Sequence, residues 1–292
     1  MPNLNRMVSQ TRKKKINILH KAVEPGPYQC HPRIGKKRPK NGCLPFSLLQ
    51  KAANQLQLNT NGKNIRGALE NALQVTDKNE WSFLQKLPFS PEEKAEYAKQ
   101  YLRPQKPQKW NTDPDMWLDS LDITNVLQQY EESHPDFEFM GPYPIDFAAP
   151  DPYKKDNTCL IDEICSLRVQ ESIQNGTKYI GIVYNLDPHF KNGSHWVATF
   201  TDIPKHRCYY FDSYGMYPPK QIATFMKWLT TQDPKMKLMY NGRRFQHQDS
   251  ECGVYCTYFI IRMLMGDNFR EFTRQSPPDK AMLALRNWLF ST

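Results

Sequence analysis

The chain has 292 residues, 39% hydrophobic and 12% aromatic, enough for one sizeable domain with an accessory region or for two small domains. No apolar run approaches the roughly 18 residues of a membrane span and the polar N-terminus lacks a signal-peptide core, so neither a membrane protein nor a secreted precursor is expected. A formal net charge of +9 points to an anionic partner, and seven cysteines at irregular spacing predict reduced thiols in a cytosolic or nuclear setting.

Residues 1–42 are basic and poor in acids, with clusters at Arg12–Lys15 and Gly35–Lys40. They read either as a solvated arm or as one that carries a nuclear address or binds nucleic acid. Cys30, His31 and Cys43 have no fourth ligand at finger spacing, so no metal site is assigned. Residues 43–109 turn helical. Leu44–Leu56 and Ile65–Leu73 carry apolar residues at helical spacing. Ser90-Pro-Glu-Glu gives an N-cap, an N1 proline and an acidic first turn for a helix ending at Tyr101 or Leu102. Arg103-Pro-Gln-Lys-Pro-Gln-Lys-Trp110 reads as a linker after this helical accessory region.

Residues 110–292 make up a third part. Asp115–Leu127 reads as an amphipathic helix start, Asp136–Phe139 as a short strand and Leu160–Ile173 as a further helix. Tyr179–Tyr184, Trp196–Thr201 and Arg207–Asp212 are β-branched and aromatic, the pattern of buried strands. Pro218–Leu229 is an amphipathic helix, and Leu283–Phe290 closes the chain as a short one. Between them, Cys252–Met265 is apolar almost all round, interrupted only by Arg262, which predicts a core helix with no solvent face. Neighbouring strands with helices before and after them indicate an α+β fold.

The chemistry gathers at the ends of these elements. Cys252 opens the core helix, where the dipole and unpaired N–H groups favour a thiolate. His195 stands just before one strand and Asp212 at the end of another. A histidine can hold the thiolate as an ion pair and then protonate a leaving amine, while a carboxylate fixes its tautomer. Gln246, six residues before Cys252, can add a side-chain N–H to the Cys252 backbone N–H as an oxyanion hole. Each residue alone is weak evidence, since a lone cysteine or histidine is usually structural. The ordered set is what carries weight.

Gly-Ser-His195-Trp196, Phe211-Asp212-Ser213 and Gln246-(five residues)-Cys252-Gly253-Val-Tyr-Cys resemble the ubiquitin-like-protein (SUMO) proteases and the adenovirus-type proteinases. Trp117-Leu118, followed by Ile123, resembles that family's Trp-Leu motif. The resemblance covers roughly residues 110–292. It implies a papain-like α+β core, a central mixed sheet flanked by helices, with His195 as base, Asp212 as orienting acid, Cys252 as nucleophile and Gln246 at the oxyanion. Gln248, in the same loop, leaves the glutamine assignment open. Trp117 and Trp196 are implied to close a flat tunnel that admits only glycine at P1 and P2. No metal or organic cofactor is implied.

Two departures bear on the substrate. Asp119-Ser120 replaces the Asn-Asp pair usual after the Trp-Leu motif, and the N-terminal part has no counterpart in cellular SUMO proteases. The chain therefore looks more like the processing proteinases of large cytoplasmic DNA viruses. These cut structural precursors after Gly-Gly during virion maturation, which implies the host cytoplasm or the virion. An isopeptidase acting on SUMO-like or ubiquitin-like modifiers is the alternative, and a basic nucleoprotein with an idle protease fold is a third. The intact set of His195, Asp212, Cys252 and Gln246 argues against the last, and the matched Trp196 and Gln246 argue against an effector acetyltransferase.

Overall fold

A computed structural model of the chain describes residues 27–35, 37–59, 64–154, 156 and 158–291; the Arg12–Lys15 cluster lies outside them. The chain divides into two units, one of residues up to Lys106 together with Lys280–Thr292, the other of Pro107–Asp279. The passage between them lies inside the expected linker. Lys280 to the end groups with the N-terminal helices, whereas the sequence reading ran the third part through residue 292.

In the first unit, α1 (Phe46–Gln55) buries Leu48, Leu49, Ala52 and Ala53, the single stripe its spacing dictates. It is followed by α2 (Ile65–Ala72), α3 (Glu80–Lys86) and α4 (Pro91–Tyr101). Helix α4 starts where Ser90 and Glu93 form a reciprocal capping box ahead of Pro91. Helix α3, seven residues long, is too short for its periodicity to show in the sequence. Its Glu80 is fully buried and paired with Arg38 and Arg66.

The second unit is built on a five-stranded sheet in the order β1 to β5. Helix α5 (Ser120–Ser133) precedes β1 (Phe137–Pro144), and two short helices, α6 (Asp162–Ser166) and α7 (Val169–Gln174), precede β2 (Tyr179–Asn185). A single helix over Leu160–Ile173 was expected; the chain breaks it at Leu167, whose ψ of 127° is extended. Then follow β3 (Trp196–Asp202), β4 (Arg207–Phe211), α8 (Lys220–Gln232) and β5 (Lys237–Tyr240). Next come α9 (Cys252–Leu264) and α10 (Phe269–Phe272); α11 (Asp279–Leu289), which belongs to the first unit from Lys280 on, closes the chain. Strands β2, β3 and β4 are antiparallel, while β1 and β5 add in parallel at the edges, giving the mixed sheet expected.

Strand alternation sorts the side chains. Ile180, Ile182, Tyr184, Val197, Cys208 and Tyr210 join one core with Ile222, Phe225 and Leu229 of α8. On the other face, Phe211 stacks on Phe259 of α9 at 4.9 Å. Every residue of α9 except Arg262 is buried, as the all-round apolar run predicts. The helix lies so close to β2 that a Cβ at Gly181 would sit 3.1 Å from Ile260 Cγ2.

The expectation of reduced thiols needs correction. Cys30 and Cys43, and Cys159 and Cys165, form disulfides, because local loops bring their Cα atoms to 5.1 and 6.4 Å. The free cysteines among the described residues are Cys208, Cys252 and Cys256, all buried.

Candidate active site

The antiparallel β3–β4 hairpin puts the start of one strand beside the end of the other. His195, one residue before β3, thereby meets Asp212, one residue after β4, with Nε2 and Oδ1 2.7 Å apart and both side chains buried. A carboxylate only accepts, so Nε2 carries the proton and Nδ1 is left for the Cys252 side, where the His195 imidazole and the thiol also interact. Asp212 is itself fixed. Its carboxylate accepts from the backbone N–H groups of Tyr214 (2.9 Å) and Met216 (3.2 Å). Asn241, the residue after β5, extends the β4–β5 ladder with its side chain. Its Oδ1 accepts from Asp212 N at 2.9 Å, and its Nδ2 donates to Asp212 O at 2.6 Å.

Cys252 is the first residue of α9, and no side chain caps that end. The positive end of a 13-residue helix is thus open towards the sulfur. The other two free thiols are unsuited to nucleophilic work. Burial pushes Cys208 up to about 12 and holds Cys256 well above its ordinary value. For His195, burial alone would lower the pKa. The hydrogen bonds to Asp212 and Cys252, with the charges of both groups, outweigh it and raise the value to about 9.

Of the two loop glutamines, Gln246 is fully buried and Gln248 is exposed. The Gln246 carboxamide is oriented from one side, since Ser213 Oγ donates to Oε1 at 2.7 Å. That leaves Nε2 buried with no hydrogen-bond partner in the described chain. The loop is held by Asp279, whose Oδ2 accepts from His247 N (2.9 Å) and Gln248 N (3.0 Å), with Tyr255 Oη donating to Oδ1 at 3.0 Å. Ser213 lies in a motif the sequence singled out. Asn241 and Asp279 give no signal there, because the partners just named lie 24 to 32 residues away.

The two tryptophans share a cleft of about 380 Å³, also lined by Leu118, Pro142, Tyr143 and His189. Trp117 is 39% exposed and sits ahead of α5, which starts at Ser120 rather than near Asp115, with Asp119 as N-cap. Trp196 is 6% exposed, and its Nε1 donates to Leu118 O at 2.9 Å. Its ring lies against Gly253, where an added Cβ would come within 3.2 Å of Trp196 Cδ1 and 3.0 Å of Leu118 Cβ. The residue after Cys252 must therefore be small.

Parts of the chain are similar to known proteases. Residues 177–289 match the Ulp1 protease family, C-terminal catalytic domain. A protein of Acanthamoeba polyphaga mimivirus named as a thiol protease is 35% identical over 184 residues, covering 60% of this chain and 56% of that protein. A SUMO-1 cysteine protease of African swine fever virus is 30% identical over 118 residues, covering 38% of this chain and 43% of that one. The chain thus spans about half the length of these relatives. The crystal structure of the African swine fever virus protease has the same fold, with a TM-score of 0.63 at 18% identity over 91% of this chain and 96% of that one. No helix among the described residues is long and apolar enough to cross a membrane.

Proposed function

We propose that residues 107–279 form the catalytic domain of a cysteine endopeptidase that cleaves after Gly-Gly, and that it processes viral structural precursors in the infected cytoplasm or the virion. The observation that carries the reading is the buried His195–Asp212 pair beside the one free thiol at a helix N-terminus. The Cys252 thiolate attacks the scissile carbonyl carbon. The oxyanion so formed is received by Gln246 Nε2–H and the Cys252 backbone N–H. His195 gives its Nδ1 proton to the leaving amine, and a thioester remains. Water then loses a proton to His195 as it attacks the thioester, releasing the acid and restoring the ion pair. Asp212 stays ionised throughout and keeps the imidazole in its tautomer.

The pH dependence follows from His195. Above about 9 it has lost the proton the leaving amine needs, so kcat is expected to fall along an alkaline limb near that pH. The same sign governs stability. The contribution of the raised histidine is fully present below its ordinary 6.5 and is lost as the pH passes about 9. A pH–rate profile whose alkaline limb lay near 6.5 would show that His195 does not hold its proton in the way described.

Specificity is assigned to the Trp117–Trp196 cleft, on the reading that two indole planes closing on a threaded strand would leave no room for a Cβ. Gly-Gly-X peptides are expected to be cut more than about tenfold faster than Gly-Ala-X peptides, and Trp117→Ala should relax that preference while lowering the rate. The assay is a peptide library run beside SUMO- and ubiquitin-derived C-terminal probes. Labelling of Cys252 by the probes alone would move the function to the isopeptidase reading. Acceptance of Leu or Phe at P1 would remove the tunnel. A nucleic-acid role for the basic arm is a separate proposal, supported by the charge of residues 1–42, and predicts binding that weakens steeply with salt.

A further inference from the structure

Above His195 lies a second aromatic layer. The Tyr214 ring stacks on the imidazole with centroids 4.6 Å apart and planes inclined by 14°. On Tyr214 in turn lies the Arg244 guanidinium, 5.0 Å from the ring centroid. Arg244 Nε donates to Gln246 O at 2.6 Å, so the stack that begins on the histidine ends on the backbone of the glutamine loop. The turn after β4 is built for this approach. Gly215 has φ of +75°, and a Cβ there would lie 2.6 Å from the Arg243 carbonyl carbon, so the Tyr214 turn presses against the Arg243–Arg244 backbone. The Tyr214 backbone N–H also donates to Asp212 Oδ1, at 2.9 Å, and its hydroxyl reaches Asp249 Oδ1 at 3.4 Å.

We infer that Tyr214 is a positioning residue and that Tyr214 and Arg244 act as a strut, setting the His195 imidazole against the Gln246 loop. This rests on the proposed roles of Cys252, His195 and Gln246. An imidazole hydrogen-bonded only through its edge can still rock about the Nε2–Oδ1 axis, and a flat ring against its face stops that motion. The face of the phenol is also the negative side of its quadrupole and favours the protonated form of the ring it covers. The charged or titratable groups facing His195 are Asp212 at the end of β4, Cys252 on α9 and Tyr214 itself, with Arg244 and Asp249 beyond the phenol.

The test compares Tyr214→Leu, which keeps bulk but removes the ring, with Tyr214→Phe and with Arg244→Ala, a change at an exposed side chain, all in the full chain. For Tyr214→Leu, kcat on a Gly-Gly-X peptide should fall roughly tenfold with KM nearly unchanged. The His195-linked step in the pH dependence of Cys252 alkylation by iodoacetamide should move down by about half a pH unit. Tyr214→Phe should restore both, and Arg244→Ala should lower kcat by a few-fold without moving that step. A reactive Cys252 with Tyr214→Leu matching the wild type in kcat and in the alkylation profile would overturn the strut and leave the proposed function standing. A wild-type Cys252 alkylated no faster than Cys208 or Cys256 would overturn the proposed nucleophile, and the strut with it.

Discussion

Replacing Cys252 with alanine is expected to lower peptide cleavage by roughly 10⁴-fold or more while the protein stays folded. The substitution deletes one sulfur at the first position of α9, where alanine keeps the helix and leaves only a small void. Thermal unfolding should therefore shift by only a few degrees, measured beside turnover. His195→Ala should remove comparable activity with a larger loss of stability. It leaves the Asp212 carboxylate buried with the Tyr214 and Met216 N–H groups but without its imidazole partner. Wild-type turnover in Cys252→Ala, with loss of activity in Cys208→Ala or Cys256→Ala, would transfer the chemistry to another sulfur.

Gln246→Ala is expected to reduce kcat by about 10² to 10³ and to change KM little, the signature of a donor used only when negative charge develops on the carbonyl oxygen. A buried amide nitrogen without an acceptor is costly, and cores rarely keep one without reason. Here the cost is maintained, because Ser213 Oγ occupies Oε1 and prevents the carboxamide from flipping to satisfy Nε2 elsewhere. Ser213→Ala should accordingly lower kcat as well, by less, since it frees the orientation and keeps the donor. Steady-state kinetics of the two variants separate these effects. If Gln246→Ala raised KM alone, the amide would be a substrate contact and not an oxyanion donor.

Much of the fold and of the candidate site can be read from the sequence, and the parts that cannot are hidden for distinct physical reasons. The all-round apolar run after Cys252 announces α9, because burial on every side leaves a mark on every residue. His195 and Asp212 are visible because each adjoins a short β-branched or aromatic run. Asn241, Tyr214 and Arg244 are ordinary polar or aromatic residues in loops, and Asp279 is the first residue of α11. Their partners are set by the turns of the sheet, and local pattern holds no trace of them. The break at Leu167 is hidden for the opposite reason: acidic and apolar residues continue across it at helical spacing, although the backbone turns extended. The disulfides escape because irregular spacing says nothing about which Cα atoms a loop will bring together.

The hairpin that unites His195 with Asp212 also sets an order of assembly. The two residues are 17 apart along the chain and are joined by a tight turn between β3 and β4, while Cys252 arrives on a helix from beyond α8 and β5. Close contacts form at lower entropic cost than distant ones. A chain emerging from the ribosome would thus bring His195 to Asp212 well before it holds the sulfur of the proposed nucleophile. On the proposed roles, until α9 docks against the sheet the nascent protein would hold the base and its carboxylate without the thiol. Protection against premature cutting would in this way be written into the connectivity of the fold, with no inhibitory segment required for it.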